Sequence, residues 1–173
     1  MSRNPNKLSF LDIGWFNMNK DFKKKTMITL RPHHLLCILT YIGEGYSRDF
    51  TQNMTQIVER INQGERDILI CEGPDDICAP RIDAMRSGKD PECHCLTSRI
   101  TKRDRAAAKE LEAILGQTIQ NGSILILSCE KIAQLRHAFR QGEIRKACRD
   151  CQWFDLCTKT INQCDDDKMV LVG

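Results

Sequence analysis

Apolar residues along the chain fall into periodic blocks punctuated by glycine. Phe50, Met54, Ile57, Val58 and Ile61 recur at the spacing of one helix face, with Ser47 placed to cap the start and Gly64 to end it. The earlier run LRPHHLLCILTYIGEG sets Pro32 where a first-turn proline is tolerated and stops at Gly43 and Gly45, which predicts another helix. A third fits Thr101 to Leu115, with Ala107, Leu111, Ile114 and Leu115 on one side and Gly116 beyond. Ser128 heads a fourth, in which Ile132, Leu135 and Phe139 face inward before Gly142, and a last helix is expected from near Glu143, delivering Cys148. Two short apolar runs, Asp67 to Cys71 and Ser123 to Leu127, read as buried strands. Strand, helix, strand between residues 67 and 127 is consistent with one parallel, right-handed βαβ crossover. The expectation is a mostly helical single α+β domain with a very small sheet.

The segment EGPDDICAPRIDAMRSGKDPECHCLTS, Glu72 to Ser98, follows no period and holds three prolines with Cys78, Cys93 and Cys95. A connection of this length without structure of its own signals function or disorder. Ligand bonds to a metal are expected to order it.

Composition limits function more than fold. The 173 residues suffice for one domain with its own core, and 41% hydrophobic with 28% charged residues is a globular balance. No run approaches the ~18 apolar residues of a membrane helix, and the N-terminus lacks a secretory apolar core, so a cytoplasmic protein with no membrane partner is expected. The net charge of +3 is uneven: Arg3, Lys7, Lys20, Lys23, Lys24 and Lys25 against Asp12 and Asp21 make residues 1–26 +4, leaving −1 for the rest. A body without a basic footprint argues against nucleic acid. Residues 1–26 read as a flexible basic leader ahead of Met27, a basic arm for nucleic acid or membrane being the other reading. Residues 27–164 then form a cysteine-rich domain and 165–173 a tail.

In a reducing compartment, ten cysteines point to metal binding or catalysis rather than to disulfides. Cys148 and Cys151 are the strongest ligand candidates, because a two-residue spacer lets both sulfurs face one ion, and Cys157 completes a Cys-x2-Cys-x5-Cys run. Cys78, Cys93 and Cys95 offer further thiols from the aperiodic segment. Cys93 and Cys95 lie two apart, so in extended chain both point the same way and spacing does not choose between them. Cys164 is a looser candidate in the polar tail. Cys71, ending a strand, and Cys129, starting an amphipathic helix, read as small buried residues. His33 and His34 stand four and three residues before Cys37, so either imidazole could share a metal with that thiol; the plainer reading is a helix start and core packing. His94, inside CHC, is another ligand candidate, and His137 reads as surface or satisfied core.

Zinc favours closed tetrahedral sets, commonly two close pairs. An iron–sulfur cluster takes four ligands, usually thiolates, from irregular loops and a distant cysteine. With at least six thiols available, and Trp153 and Phe154 able to exclude solvent, a 4Fe–4S or 2Fe–2S cluster bridging the 78–95 loop and the 148–157 segment is expected, with structural zinc as the alternative. An enzyme using Cys37 as nucleophile beside His33 or His34 lacks a visible orienting acid. Phosphate-binding glycine loops and a serine-nucleophile motif are absent.

The strings LRPHHLLCILTYIGEGYSRDFTQNM, EGPDDICAP, CHC and CRDCQWFDLC, in this order between Ile28 and Thr158, resemble a small bacterial and archaeal family of unknown function regarded as iron–sulfur binding. The resemblance implies Cys78, Cys148, Cys151 and Cys157 as motif cysteines, with Cys37 in the histidine-rich helix. Many relatives carry another cysteine three residues after the DDIC cysteine, where this chain has Arg81; Cys93 or Cys95 can substitute. The family has no assigned reaction, so the resemblance implies a cofactor class and stops there; from the iron–sulfur reading itself the expectation is electron transfer or redox sensing with a redox partner protein.

Overall fold

A computed structural model describes residues 27–163 and 169–173, and among these described residues there are three short strands and six helices. The expected leader at residues 1–26 and the looser candidate Cys164 lie outside the described residues. Chain order is β1 (Ile28–Leu30), α1 (Pro32–Leu39), α2 (Arg48–Asn62), β2 (Asp67–Ile70), α3 (Ala79–Arg86), α4 (Ser98–Leu115), β3 (Ile124–Ile126), α5 (Cys129–Arg140) and α6 (Phe154–Asn162), with a 3-10 turn at Lys146–Cys148 before α6. The mostly helical α+β expectation holds.

The sheet order is β1-β2-β3, with β1 parallel to β2 and β3 antiparallel to it. Leu30 stands opposite Ile70, and Ile68 opposite Leu125. Alternate residues Ile28, Leu30, Ile68, Ile70 and Leu125 are buried, whereas Ile124 and Ile126 are exposed, as a sheet with one face on the core requires. The parallel crossover expected between residues 67 and 127 does not form: β2 and β3 are antiparallel, and the parallel pair joins β1 to β2 through α1 and α2. Strand β1 has only three residues and runs into the LRPHH helix start, so no period of its own announced it.

The helices follow their local signals. Ser47 accepts the Phe50 N–H at 3.2 Å and Ser128 the Lys131 N–H at 3.3 Å, each satisfying a donor that a helix start leaves free. Gly116 closes α4 in a left-handed conformation at φ 63°, where a Cβ would be strained. The helix expected from Glu143 is instead the 3-10 turn, because α5 ends at Arg140 and Gly142, at φ 81°, turns the chain. Helix α6 (FDLCTKTIN) is a further difference from the expectation, being too short to show an apolar repeat of its own.

The segment from Glu72 to Ser98 is also a correction. It contains α3, whose apolar residues do not gather on one face, and a small core of Cys78, Ile82 and Cys95 flanked by Met85 and Cys93. Arg81 is bound through Nε to Asp90 Oδ2 at 2.8 Å. Burial and hydrogen bonding of its own therefore order much of this connector. The main core joins the buried sheet face to Leu35, Ile38 and Leu39 of α1, the expected face of α2, Ala107 and Leu111 of α4, and Ile132, Leu135 and Phe139 of α5. Among the described residues no helix is long and apolar enough to cross a membrane.

Leu30 is fully buried in the main core, and Ile126 is 58% exposed. Leu30→Ala is expected to destabilise by about 2–5 kcal/mol, and Ile126→Thr by less than about 0.5 kcal/mol, measured as urea unfolding free energies.

Candidate metal centre

Helix α1 starts immediately after Arg31, a guanidinium only 1% exposed. Arg31 donates from Nε and Nη2 to Asp104 Oδ2 at 2.9 and 2.6 Å, and from Nη1 to the Cys95 carbonyl at 3.0 Å. Asp104, on α4, also meets His33: its Oδ1 lies 2.5 Å from Nδ1. Asp75, ahead of α3, does the same for His34 at 2.7 Å, and its carboxylate further accepts the N–H groups of Arg31 and Cys78 at 2.8 and 3.0 Å. An ionised carboxylate only accepts, so each histidine carries its proton on Nδ1 and has Nε2 free. The pairing of two adjacent histidines with two buried aspartates was not legible beforehand: Asp104 sits 71 residues from His33, inside a helix where a charge ordinarily signals solvent.

Environment splits the two imidazoles. Burial and the neighbouring His34 push His33 down to about 4. For His34, burial is opposed by Asp75, and the net direction is upward. Asp75 is depressed to about 2 by His34 and by the N–H donors, against burial.

On one side of these histidines lies a cavity of about 90 Å³, several times the ~10–15 Å³ that one water needs. Cys37 of α1, Cys148 of the 3-10 turn, Cys151 in the link that follows and Cys157 of α6 all line it, together with Trp153, Phe154 and Phe139. Burial, then Cys151, Cys148 and Cys157, raise the Cys37 thiol well above its ordinary value; burial and Cys151 push Cys148 to about 11. Four thiolates therefore cannot collect here without positive charge between them. Arg103 lines the same cavity and acts in the opposite sense on Cys37 and Cys148. The Thr40 hydroxyl is buried, has no hydrogen-bond partner among the described residues and lines the cavity, while burial raises the Cys157 thiol beside it. A buried, unpartnered donor beside four sulfurs is what metal-bound thiolate would satisfy. The donor set fits a metal or a metal cluster.

On the other side, Cys78, Cys93 and Cys95 make their own group. The hydrogen bond between Cys78 and Cys95 raises the first thiol and lowers the second. Cys78 and Cys95 line a smaller cavity of about 30 Å³ together with both histidines. His34, Asp75 and Cys78 place one donor atom each within 4.8 Å of one another, close enough to hold a metal ion. Asp75 would then exchange one of its present hydrogen bonds for the ion. The thiols expected to share a single centre are thus sorted into two groups, with Cys37 completing the C-terminal set of three. Cys129 is exposed rather than buried, within 3.0 Å of the Arg66 guanidinium, while Cys71 is half-buried at the end of β2. His94 lines the smaller cavity and His137 is exposed. The nine cysteines among the described residues are all free thiols.

Fold and site together define a small cysteine-rich α+β protein with candidate metal-binding groups. A family model described as a protein of unknown function (DUF1284) matches residues 45–157, well over half of the chain, and the chain belongs to this family. That span includes Cys78, Cys93, Cys95, Cys148, Cys151 and Cys157 and begins after Cys37. No curated protein and no solved structure matches the chain.

His33 binds its proton at about pH 4 when folded and at 6.5 when unfolded, so the unfolded chain holds more protons between those values. Stability should fall as pH is lowered from 6.5 to 4, by about 3 kcal/mol from His33 alone, and most of this fall should vanish in His33→Gln, leaving the part due to His94, which burial also lowers. His34, shifted the other way, loses its contribution only as pH rises above 6.5, outside that window. Urea midpoints taken across the range test both statements.

Proposed function

We propose that this chain is a cytoplasmic iron–sulfur protein whose cluster is held by Cys37, Cys148, Cys151 and Cys157. The observation that carries the reading is the convergence of these four thiols on one largely apolar cavity. A single zinc closes four thiolates around itself at ~2.3 Å and needs no further space, whereas a polynuclear cluster needs a cavity beyond the sulfurs. The C-x2-C-x5-C run plus one distant cysteine also suits a cluster.

When bound, an iron–sulfur cluster supplies one-electron chemistry at a potential set by its surroundings. The chain's own residues contribute those surroundings. Trp153, Phe154 and Phe139 exclude water, and the Thr40 hydroxyl, unpartnered as it stands, is available to donate to a cluster-bound sulfur. Arg103 adds positive charge near Cys37 and Cys148. Donors and positive charge next to the sulfurs favour the reduced form, while burial opposes extra charge. Electron transfer or redox sensing with a redox partner protein is the role this arrangement supports. Structural zinc on the same thiols is the second reading, favoured by the way they tie α1 to the C-terminal α6.

Anaerobically purified protein should be brown, with iron and acid-labile sulfide in matching amounts. Cys37→Ser and Cys151→Ser should each remove most of the colour and iron, whereas Cys129→Ser should leave both intact. Cys78→Ser should retain the cluster, separating this centre from one that bridges both thiol groups. Colourless protein with one equivalent of zinc would sink the iron–sulfur reading in favour of the structural one.

A further inference from the structure

The smaller cavity is lined by an unusual set of groups: Arg31, Arg81, Arg103, His33, His34 and His94, with no carboxylate among its lining residues. Tyr46, His94, Ile100 and Arg103 also line an outer cleft of about 490 Å³, which adds Arg99, Arg149, Asp150 and Gln152. The two spaces therefore share walls, a small inner chamber beside a ligand-sized cleft.

The charges divide into those already answered and those that are not. Arg31 is satisfied by Asp104 and a carbonyl, and His33 and His34 by their aspartates. Arg81 is 7% exposed, bound through Nε to Asp90 and stacked 4.1 Å over the Tyr46 ring, yet its Nη1 is buried with no hydrogen-bond partner. A buried guanidinium N–H without a partner costs free energy unless something outside the chain accepts it. Arg99 and Arg103 both donate to the main-chain carbonyl of Asp150, at 2.8 and 3.2 Å, which fixes the two side chains without neutralising them. Among the described residues, no ion pair engages Arg99, Arg103 or Arg149, and Asp150 supplies the one carboxylate of the outer cleft. Helix α4 begins at this cleft with no acidic residue in its first turn and no side-chain cap, so its positive end adds to the field.

We propose that the inner chamber and outer cleft together bind a small, multiply charged oxyanion, a dicarboxylate or phosphate compound, with one anionic group taken by Arg81 and the remainder by Arg99 and Arg149. The inner chamber, at about 30 Å³, has room for about two water-sized groups, which suits the two oxygens of one carboxylate or phosphate edge. Guanidinium forks match both anions in geometry. Cys151 lines the outer cleft as well as the thiol cavity, so the bound molecule sits against that centre. Binding itself does not depend on what the thiols hold.

Isothermal titration of the full chain, as purified, with succinate and with inorganic phosphate tests this, the visible spectrum of the same sample recording its cofactor separately. Saturable binding of at least one is expected, weakened about tenfold or more in Arg81→Gln, the worth of a charge-assisted hydrogen bond. An Arg99→Gln, Arg149→Gln double variant, altered at exposed side chains, should weaken it severalfold with thermal unfolding unchanged, and Arg105→Gln, exposed elsewhere on α4, should not. Absence of saturable heat with either anion, equal affinity in all variants, or binding of polyglutamate but of neither small anion would overturn the proposal, the last by assigning the cleft to an acidic protein surface.

Discussion

A guanidinium with almost no access to water anchors this protein. Arg31 stands between β1 and α1, and its one full countercharge among the described residues is Asp104, more than seventy residues later on α4. Removing one partner of such a pair strands the other in a low dielectric, which typically costs about 3–5 kcal/mol. The pair does more than join two elements. Asp104 also accepts the Nδ1–H of His33, and Arg31 reaches the Cys95 carbonyl, so the start of α1, the middle of α4 and the loop before α4 share one network. The direction in which α1 leaves the sheet, and hence where Cys37 lies, follows from that network.

Helix α1 is consequently a partition. His33 and His34 line both the thiol cavity and the smaller chamber, and Cys37 one turn later completes the four-thiol set. Arg103 borders the thiol cavity, the inner chamber and the outer cleft, lending one charge to all three. Tyr46 packs edge-on against Trp153 at 5.6 Å and His94 at 5.8 Å, linking the thiol side to the basic side through ring contacts. Two chemically different spaces thus meet across a few side chains.

The legible parts of this architecture were those with a repeat or a cap. Helices α2, α4 and α5 carry strong apolar periods, and Ser47, Ser128 and Gly116 act where their chemistry placed them. What escaped had no such signature. Strand β1 is too short to show a period, α3 has apolar residues on every side, and the β2–β3 pairing depends on which edge β1 occupies, a long-range choice that no local window contains. In the site, the spacing of Cys148, Cys151 and Cys157 announced a group, but the fourth member came from Cys37, more than a hundred residues away, through packing of α1 against the C-terminal segment. Cys78 and Cys95 looked like ligands of the same centre because both segments are rich in thiols; their hydrogen bond and their own small core set them apart.

The distance along the chain between Cys37 and Cys157 has a consequence for how the protein is born. A ribosome adding ~5–20 residues per second needs roughly 6–24 s between the two. Throughout that interval the early half of the centre, including two histidines and an ion-pair arginine whose partner Asp104 is also delayed, exists without the residues that complete it. Assembly of the thiol set therefore has to wait for the segment through Cys157 and cannot nucleate the fold, and a nascent chain halted before α6 would present Cys37 to whatever oxidant or stray metal the surroundings offer.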